Sequence, residues 1–333
     1  MRSRAKKTFS MVLLAVACGL SSHADDSAVS VAAGGIRLSK EARISMEKEV
    51  LKISDKTVAV DFDFLNESDS DVTTEVGFPI PPYENGEWGE PGLRRDFSDF
   101  RVWIDGREIK YQTDVRAKLD GKDYTDLLRK LGFEIDFALN DDNDDLATRL
   151  EGTFASLSAS DQSRLVSLGL VKPGRGDHYF EWAVYKEYHW RQTFPAHRMV
   201  HIRHEYTPEV GYEQIEVGKI QADLKNSCID DGLERALKAN VDHRSESEPK
   251  GFGQLVFPEW VDYILTSANT WKTPIKSFEL VVERPKPDKN HQHCFVSFCW
   301  DGKIEQRDAD HFVAHISNFV PKHELRIYFL SPD

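Results

Sequence analysis

Apolar and polar positions alternate along much of this chain with a period of two. In residues 58–65 (VAVDFDFL), Val58, Val60, Phe62 and Phe64 fall on one side and Ala59, Asp61, Asp63 and Leu65 on the other. That spacing predicts a strand with one buried face. Residues 66–71 (NESDSD) form a turn by composition, because Asn, Asp and Ser side chains bond their own backbone. Residues 72–78 are again rich in β-branched and aromatic side chains, and Pro79, Pro81 and Pro82 stop the strand, since proline cannot donate to a ladder. The pattern predicts an antiparallel hairpin over 58–82, around which the rest is organised.

The same grammar predicts strands over 36–38, 44–51, 53–64, 97–104, 188–194 and 199–206. Asp105-Gly106 is a tight-turn signal and predicts a hairpin whose return strand covers 108–115. Further strands are expected over 260–267, 275–283, 293–300, 311–317 and 324–330, with Asp301-Gly302 as a second turn. The period changes after Lys118. Tyr124, Leu127, Leu128 and Leu131 have helical spacing, with Gly132 as cap. Residues 161–170 form a second helix, with Ser158 three places before Asp161. Residues 228–239 form a short helix with Ile229, Leu233, Ala236 and Leu237 on one stripe. The expected fold is mainly β: antiparallel β-sandwich-like modules with a helical insert and one short helix in the second module. The first module takes 25–117 and 178–212, the insert 118–177, and the second module 213–333.

The N-terminus adds a compartment. Arg2, Arg4, Lys6 and Lys7 precede an apolar run over 9–20, too short for a permanent membrane span, and Ser22-His23-Ala24 fits a cleavage site. Residues 1–24 read as a signal peptide, cleaved near Ala24/Asp25, for a periplasmic or secreted protein. No later apolar run is long enough to cross a membrane. The whole chain carries a net charge of −13 from 43 basic and 56 acidic residues; removal of residues 1–24 leaves 39 against 56, a net of −17. Such a surface repels phosphate backbones, so nucleic acid is not an expected partner.

Three cysteines remain beyond the signal segment: Cys228, Cys294 and Cys299. Cys294 and Cys299 are five apart on a predicted strand, so they point to opposite faces; Cys228 with either of them is the easier pair. His197, His201 and His204 invite a metal reading, but strand alternation puts His204 with Val200, Ile202 and Tyr206 on one face and His201 on the other. Residues 140–145 (NDDNDD) have oxygen ligands but lack the glycine that a calcium loop needs at its sixth position, so they read as a solvated cap. No phosphate loop, G-x-S-x-G or H-E-x-x-H occurs. Neither a catalytic residue, a metal nor a cofactor is assigned. The chemistry left is aromatic: Tyr83 and Trp88 on a glycine-rich loop, and the stretch 179–190 with Trp182.

Several separated motifs carry a resemblance. FLNESDSDVTTEVGFPIP at 64–81, F-x-V-x-I-D-G at 100–106, W-x-x-x-F-P-A at 190–196, H-x-Y-x-P at 204–208, CIDDG at 228–232, W-x-x-P-I-x-x-F-x-L-V-V at 271–282 and VSFCWDG at 296–302 resemble the exported bacterial domain-of-unknown-function 4424 family over nearly the whole mature chain. The resemblance implies an envelope or secreted location and no activity. It also implies the pairing Cys228–Cys299, since CIDDG and SFCWDG each carry a cysteine in the family-like pattern. The resulting expectation is a non-enzymatic periplasmic or envelope binding protein using Tyr83, Trp88, Trp182 and His204, with an envelope protein or polymer as partner. The alternative is an envelope-polymer hydrolase using carboxylates and His204.

Overall fold

The strands that alternation predicts are present, but their partners differ from the local ones. In a computed structural model, the residues described are 27–32, 35–38, 40–84, 98–135, 144–174, 177–224, 227–245, 255–287 and 293–332. The signal segment, Trp88 with its loop, and residues 140–143 of the Asn/Asp run lie outside them. In chain order, β1 (Ser27–Ala32), β2 (Gly35–Leu38), β3 (Ile44–Ile53), β4 (Val58–Asn66), β5 (Val72–Pro79), β6 (Tyr83–Glu84), β7 (Ser98–Ile104), β8 (Arg107–Glu108), β9 (Gln112–Leu119) and β10 (Lys122–Asp123) come first. Helices α1 (Thr125–Lys130), α2 (Asp144–Ser156) and α3 (Ala159–Ser167) make the insert, closed by the short pair β11 (Val171–Pro173) and β12 (His178–Phe180). Then follow β13 (Ala183–Phe194), β14 (Met199–Thr207), β15 (Gly211–Tyr212), β16 (Ile215–Glu216), α4 (Ile220–Asp223) and α5 (Asp231–Ser245). The chain ends with β17 (Leu255–Tyr263), β18 (Ile275–Glu283), β19 (Phe295–Ser297), β20 (Glu305–Gln306), β21 (His311–Phe319) and β22 (Leu325–Pro332).

Three larger sheets result. One runs β20-β21-β18-β3-β4-β14-β7-β8. A second runs β10-β9-β13-β5-β1-β2, with β6 also on β13. The third runs β15-β17-β22-β19, with β16 on β17. The fold is therefore mainly β with few short helices, as the alternation predicts.

The hairpin predicted over 58–82 does not form. β4 pairs with β3 and β14, whereas β5 pairs with β13 and β1 in the other sheet. Alternation reports which face of a strand is buried, not which neighbour completes its backbone hydrogen bonds. Both strands bury their faces against each other's sheets: Phe64 meets Phe194 at 5.9 Å between ring centroids, and Phe78 meets Phe100 at 5.2 Å. The turn over 66–71 carries the chain across. Asn66 is fully buried; its Nδ2 donates to the Ser70 and Phe194 carbonyls, both at 2.8 Å, and its Oδ1 accepts from the Ser68 N–H at 2.9 Å and hydroxyl at 2.7 Å. Residues 195–198 make a second crossing, from β13 to β14. There the Ala196 N–H donates to Asp71 at 2.9 Å, which ties the two crossings together.

The Asp105-Gly106 hairpin forms, with φ of +49° and +77° and Ile104 opposite Arg107. Those two positive angles are the ones that a tight two-residue turn demands. Its return strand is shorter than expected. β8 holds two residues, and the chain then leaves for the other sheet, where β9 joins β13.

Strands from either side of residue 212 share one sheet. β18 pairs in parallel with β3, from Ser277 opposite Lys48 to Val282 opposite Ile53. One buried cluster spans Phe62 and Phe78 as well as Phe278, Tyr263 and Phe329. A smaller cluster lies under α5, around Ile220, Leu237, Val241 and Leu330. Among the described residues of the C-terminal half the α-helices are the four-residue α4 and the 15-residue α5. Cys228 is bonded to Cys299, and Cys294 is free and buried. In the insert, Ser158 accepts the Asp161 N–H at 3.2 Å as the N-cap of α3.

Asn66→Ala orphans two acceptors and a turn N–H at the crossing, and is expected to lower the unfolding free energy by about 2–4 kcal/mol. Ser68→Ala, on the same turn, should cost under about 1 kcal/mol. Urea denaturation of the three proteins checks this; equal effects would show that the buried carboxamide does not hold the crossings.

Candidate functional site

The early departure of the chain from β8 leaves an opening at the edge of the sandwich. β13 is twelve residues long, but its ladder with β9 ends where His189 faces Gln112. Beyond that point β13 runs on from Trp190 without β9 beside it, while residues 109–111 cross between the sheets. Tyr111 anchors this crossing: its hydroxyl donates to the Phe100 carbonyl at 2.9 Å, and its ring stands edge-on to Phe100 and Tyr188. A cleft of about 650 Å³ opens between the crossing, the 105–106 turn and β13.

Its walls follow from strand register. Ile104 and Arg107 are direct partners, so both side chains lie on the face toward the opposite sheet. Ile109, Lys110 and Tyr111 line another side, and Gln112 with residues 189–192 line the rest. Trp190 and Gln192 are buried, on the β13 face that looks into the sandwich. Gln192 donates its amide to the Thr193 carbonyl at 2.7 Å. His189 is only 7% exposed, and its Nδ1 has no hydrogen-bond partner among the described residues; the nearest carboxylate oxygen, of Glu75, is 3.7 Å away. The Trp190 indole N–H is likewise buried without an acceptor among them.

The charges around the cleft do not match those of the chain as a whole. Arg107, Lys110 and Arg191 are exposed, and none makes an ion pair among the described residues. Among the described residues, the one carboxylate in the lining is Asp105, whose Oδ1 accepts the His201 N–H at 2.9 Å. Glu108 follows Arg107 on the other face of β8, and Glu75 stands opposite Arg191 in the ladder.

Glu187 and His204 are strongly shifted, and neither lines the cleft. Burial pushes the Glu187 carboxyl up to about 8; the Asp114 carboxylate, opposite it in the ladder, adds to this and the Lys118 ammonium opposes it. Burial pushes His204 down to about 3. Its ring is fully enclosed, within 5.0–5.5 Å of the Phe62, Phe78, Phe100 and Trp190 rings.

Of the four residues proposed from sequence, the three that are described do not come together. Trp182 is fully buried beneath the insert, between Phe133 and Phe180 at 5.6 and 5.7 Å, because a large indole gains most inside a core. It is therefore not a surface contact. His204 is fully buried, its ring edge-on to Trp190 at 5.4 Å, and does not line the cleft. Tyr83 sits on β6, opposite Val184, at the far end of β13 from the cleft. Trp88 lies outside the described residues. Nor do the three histidines converge: His201 lies between Asp61 and Asp63 at 3.4 and 2.9 Å, and His197 meets Asp69 on a crossing. No group of three or more His, Cys, Asp or Glu side chains among the described residues has an arrangement that could hold a metal ion. Burial pushes the Cys294 thiol up to about 12, the opposite of an activated nucleophile. Sequence reasoning missed Arg107, Lys110, His189 and Trp190; the Asp105-Gly106 turn was the one visible pointer to their place.

The profile of the family described as "Domain of unknown function (DUF4424)" matches residues 24–328. None of the curated proteins matches the chain. Among solved structures, one described as a "putative nutrient binding protein" from Legionella pneumophila aligns over 93% of this chain and 72% of its own, at 16% identity and a TM-score of 0.39. A likeness at that level fixes no ligand here.

The shifted groups predict opposite slopes of stability with pH. The folded chain holds the Glu187 proton up to about 8, the unfolded one only to 4.5, so stability falls as pH rises through that window, by up to about 1.4 kcal/mol per unit. The unfolded chain protonates His204 below 6.5 and the folded one only near 3, so stability falls as pH drops through that window. Glu187→Gln should flatten the alkaline slope and His204→Leu the acid slope, each leaving the other in place. Thermal denaturation from pH 3 to 9 measures both; a variant whose slope matches the parent's removes that group from the account.

Proposed function

This chain belongs to the DUF4424 family, a domain of unknown function, and we propose that it works as an exported, non-enzymatic binding protein whose recognition site is the cleft between β8 and β13. The carrying observation is a formed cleft of about 650 Å³ in which exposed Arg107, Lys110 and Arg191 stand beside the apolar side chains of Ile104 and Ile109 and the ring of Tyr111. A concave site with an apolar wall and a few polar groups is the usual form of a small-ligand site. The Cys228–Cys299 disulfide supports a periplasmic or secreted location, where such bonds persist. No described helix is long and apolar enough to cross a membrane. The hydrolase reading loses its histidine to burial, and the carboxyl with the raised pKa, Glu187, lies outside the cleft lining.

The test uses the chain from residue 25 onward and follows melting temperature against sugars, amino acids, organic acids and inorganic phosphate. A ligand at a hundred times its Kd should stabilise by about 2.7 kcal/mol, a shift of a few degrees. Arg107→Trp, an exposed position at the cleft mouth, should leave the unliganded melting temperature unchanged and weaken that ligand at least about five-fold. Binding indifferent to Arg107→Trp would place the site elsewhere.

A further inference from the structure

We infer that the cleft recognises an oxyanion: a small molecule carrying a carboxylate or phosphate group. This rests on the reading of the cleft as the recognition site and adds the chemistry of what it takes. The inventory of polar groups carries the inference. Arg107, Lys110 and Arg191 are donor-only side chains, all three exposed in the lining. Gln112 adds an amide. Among the described lining residues the acceptor-only side chain is Asp105, and one of its oxygens is already engaged by the His201 N–H. A site so rich in donors is completed by a ligand rich in acceptors, and hydrogen bonds between charged partners are the strongest available to it.

The surrounding charge makes the arrangement selective. The chain as a whole is acidic, at −13, so its general field does not draw anions. Yet Arg107, Lys110 and Arg191 converge on one opening with no ion-pair partner among the described residues. Some exposed cations elsewhere are paired, such as Arg101 with Glu205 at 2.8 Å and Lys172 with Glu181 at 2.7 Å, and others, such as Lys56 and Lys322, stand singly among the described residues; at the cleft three unpaired ones line the same opening. Arg107 is held by the register of a tight turn rather than by a counter-ion, which keeps its guanidinium available to a planar oxyanion. Ile104, Ile109 and Tyr111 give the same cleft an apolar side, where the carbon body of an organic anion would lie.

The experiment is titration calorimetry of the chain from residue 25 onward with inorganic phosphate, citrate, benzoate, glucose and choline. The three anions are read against the two others, in 50 mM and 500 mM sodium chloride. At least one anion should bind, weaken with salt, and weaken about ten-fold or more in the double variant Arg107→Gln/Lys110→Gln. Lys322→Gln, an exposed lysine outside the cleft lining, should change nothing and controls for loss of net charge. Phosphate as the sole ligand would identify an inorganic oxyanion, and tighter benzoate or citrate an organic one; either supports the inference. Glucose or choline binding in preference, with the double variant unaffected, would overturn it while leaving a binding protein. Failure of all five to bind would overturn the inference, and failure of the wider panel of compounds as well would overturn the binding reading with it.

Discussion

The Asn66 carboxamide, fully buried, holds together the two places where the chain changes sheet. Its two N–H groups satisfy carbonyls of both crossings, Ser70 on one side and Phe194 on the other. A buried primary amide is unfavourable unless its hydrogen bonds are made, so its presence commits the turns to one geometry. Asp71 repeats the tie from the neighbouring position by accepting the Ala196 N–H. With both crossings fixed, β4 and β14 lie in one sheet and β5 and β13 in the other, and their aromatic faces close on each other as a single core.

The cleft follows from a mismatch in strand length at the opposite edge. A two-residue β8 cannot cover what a twelve-residue β13 exposes. The chain leaves one sheet at Glu108 and enters the other at Gln112, so the segment that crosses becomes a wall. Tyr111 keeps that wall in place through its bond to the Phe100 carbonyl and its ring contacts. The opening is thus built on strand ends and a pinned crossing, which suits a preformed site.

Charge is partitioned between the interior and this edge. Near neutral pH these two shifted groups are uncharged: Glu187 keeps its proton and His204 has none. The sandwich therefore encloses His204 without enclosing a charge, and is destabilised only when pH forces ionisation. Three cations that are unpaired among the described residues, Arg107, Lys110 and Arg191, line the cleft, where solvent or a ligand receives them. Perturbed groups often mark active sites. Here they lie in the fold's interior and on the outer face of β13, so they report packing.

Much of the fold was legible along the chain. Alternation located β4, β5, β13, β14 and β18, and placed His204 on the buried face. The Asp105-Gly106 and Ser158 signals marked a turn and a cap, and the separated motifs identified the family and its disulfide. The pairing of those strands was not legible, because backbone hydrogen bonds use groups that every residue carries. Two strands in line therefore look alike whether they join as a hairpin or face each other across a core. The site was less legible still. Arg107 and Trp190 lie far apart in sequence, and only the sandwich brings them to one opening, where register decides which side chains look inward. The sequence by itself determined which faces are apolar and where the chain can turn. The tertiary structure alone decided which edges meet and which cations go unpaired, since both depend on distances between residues remote along the chain.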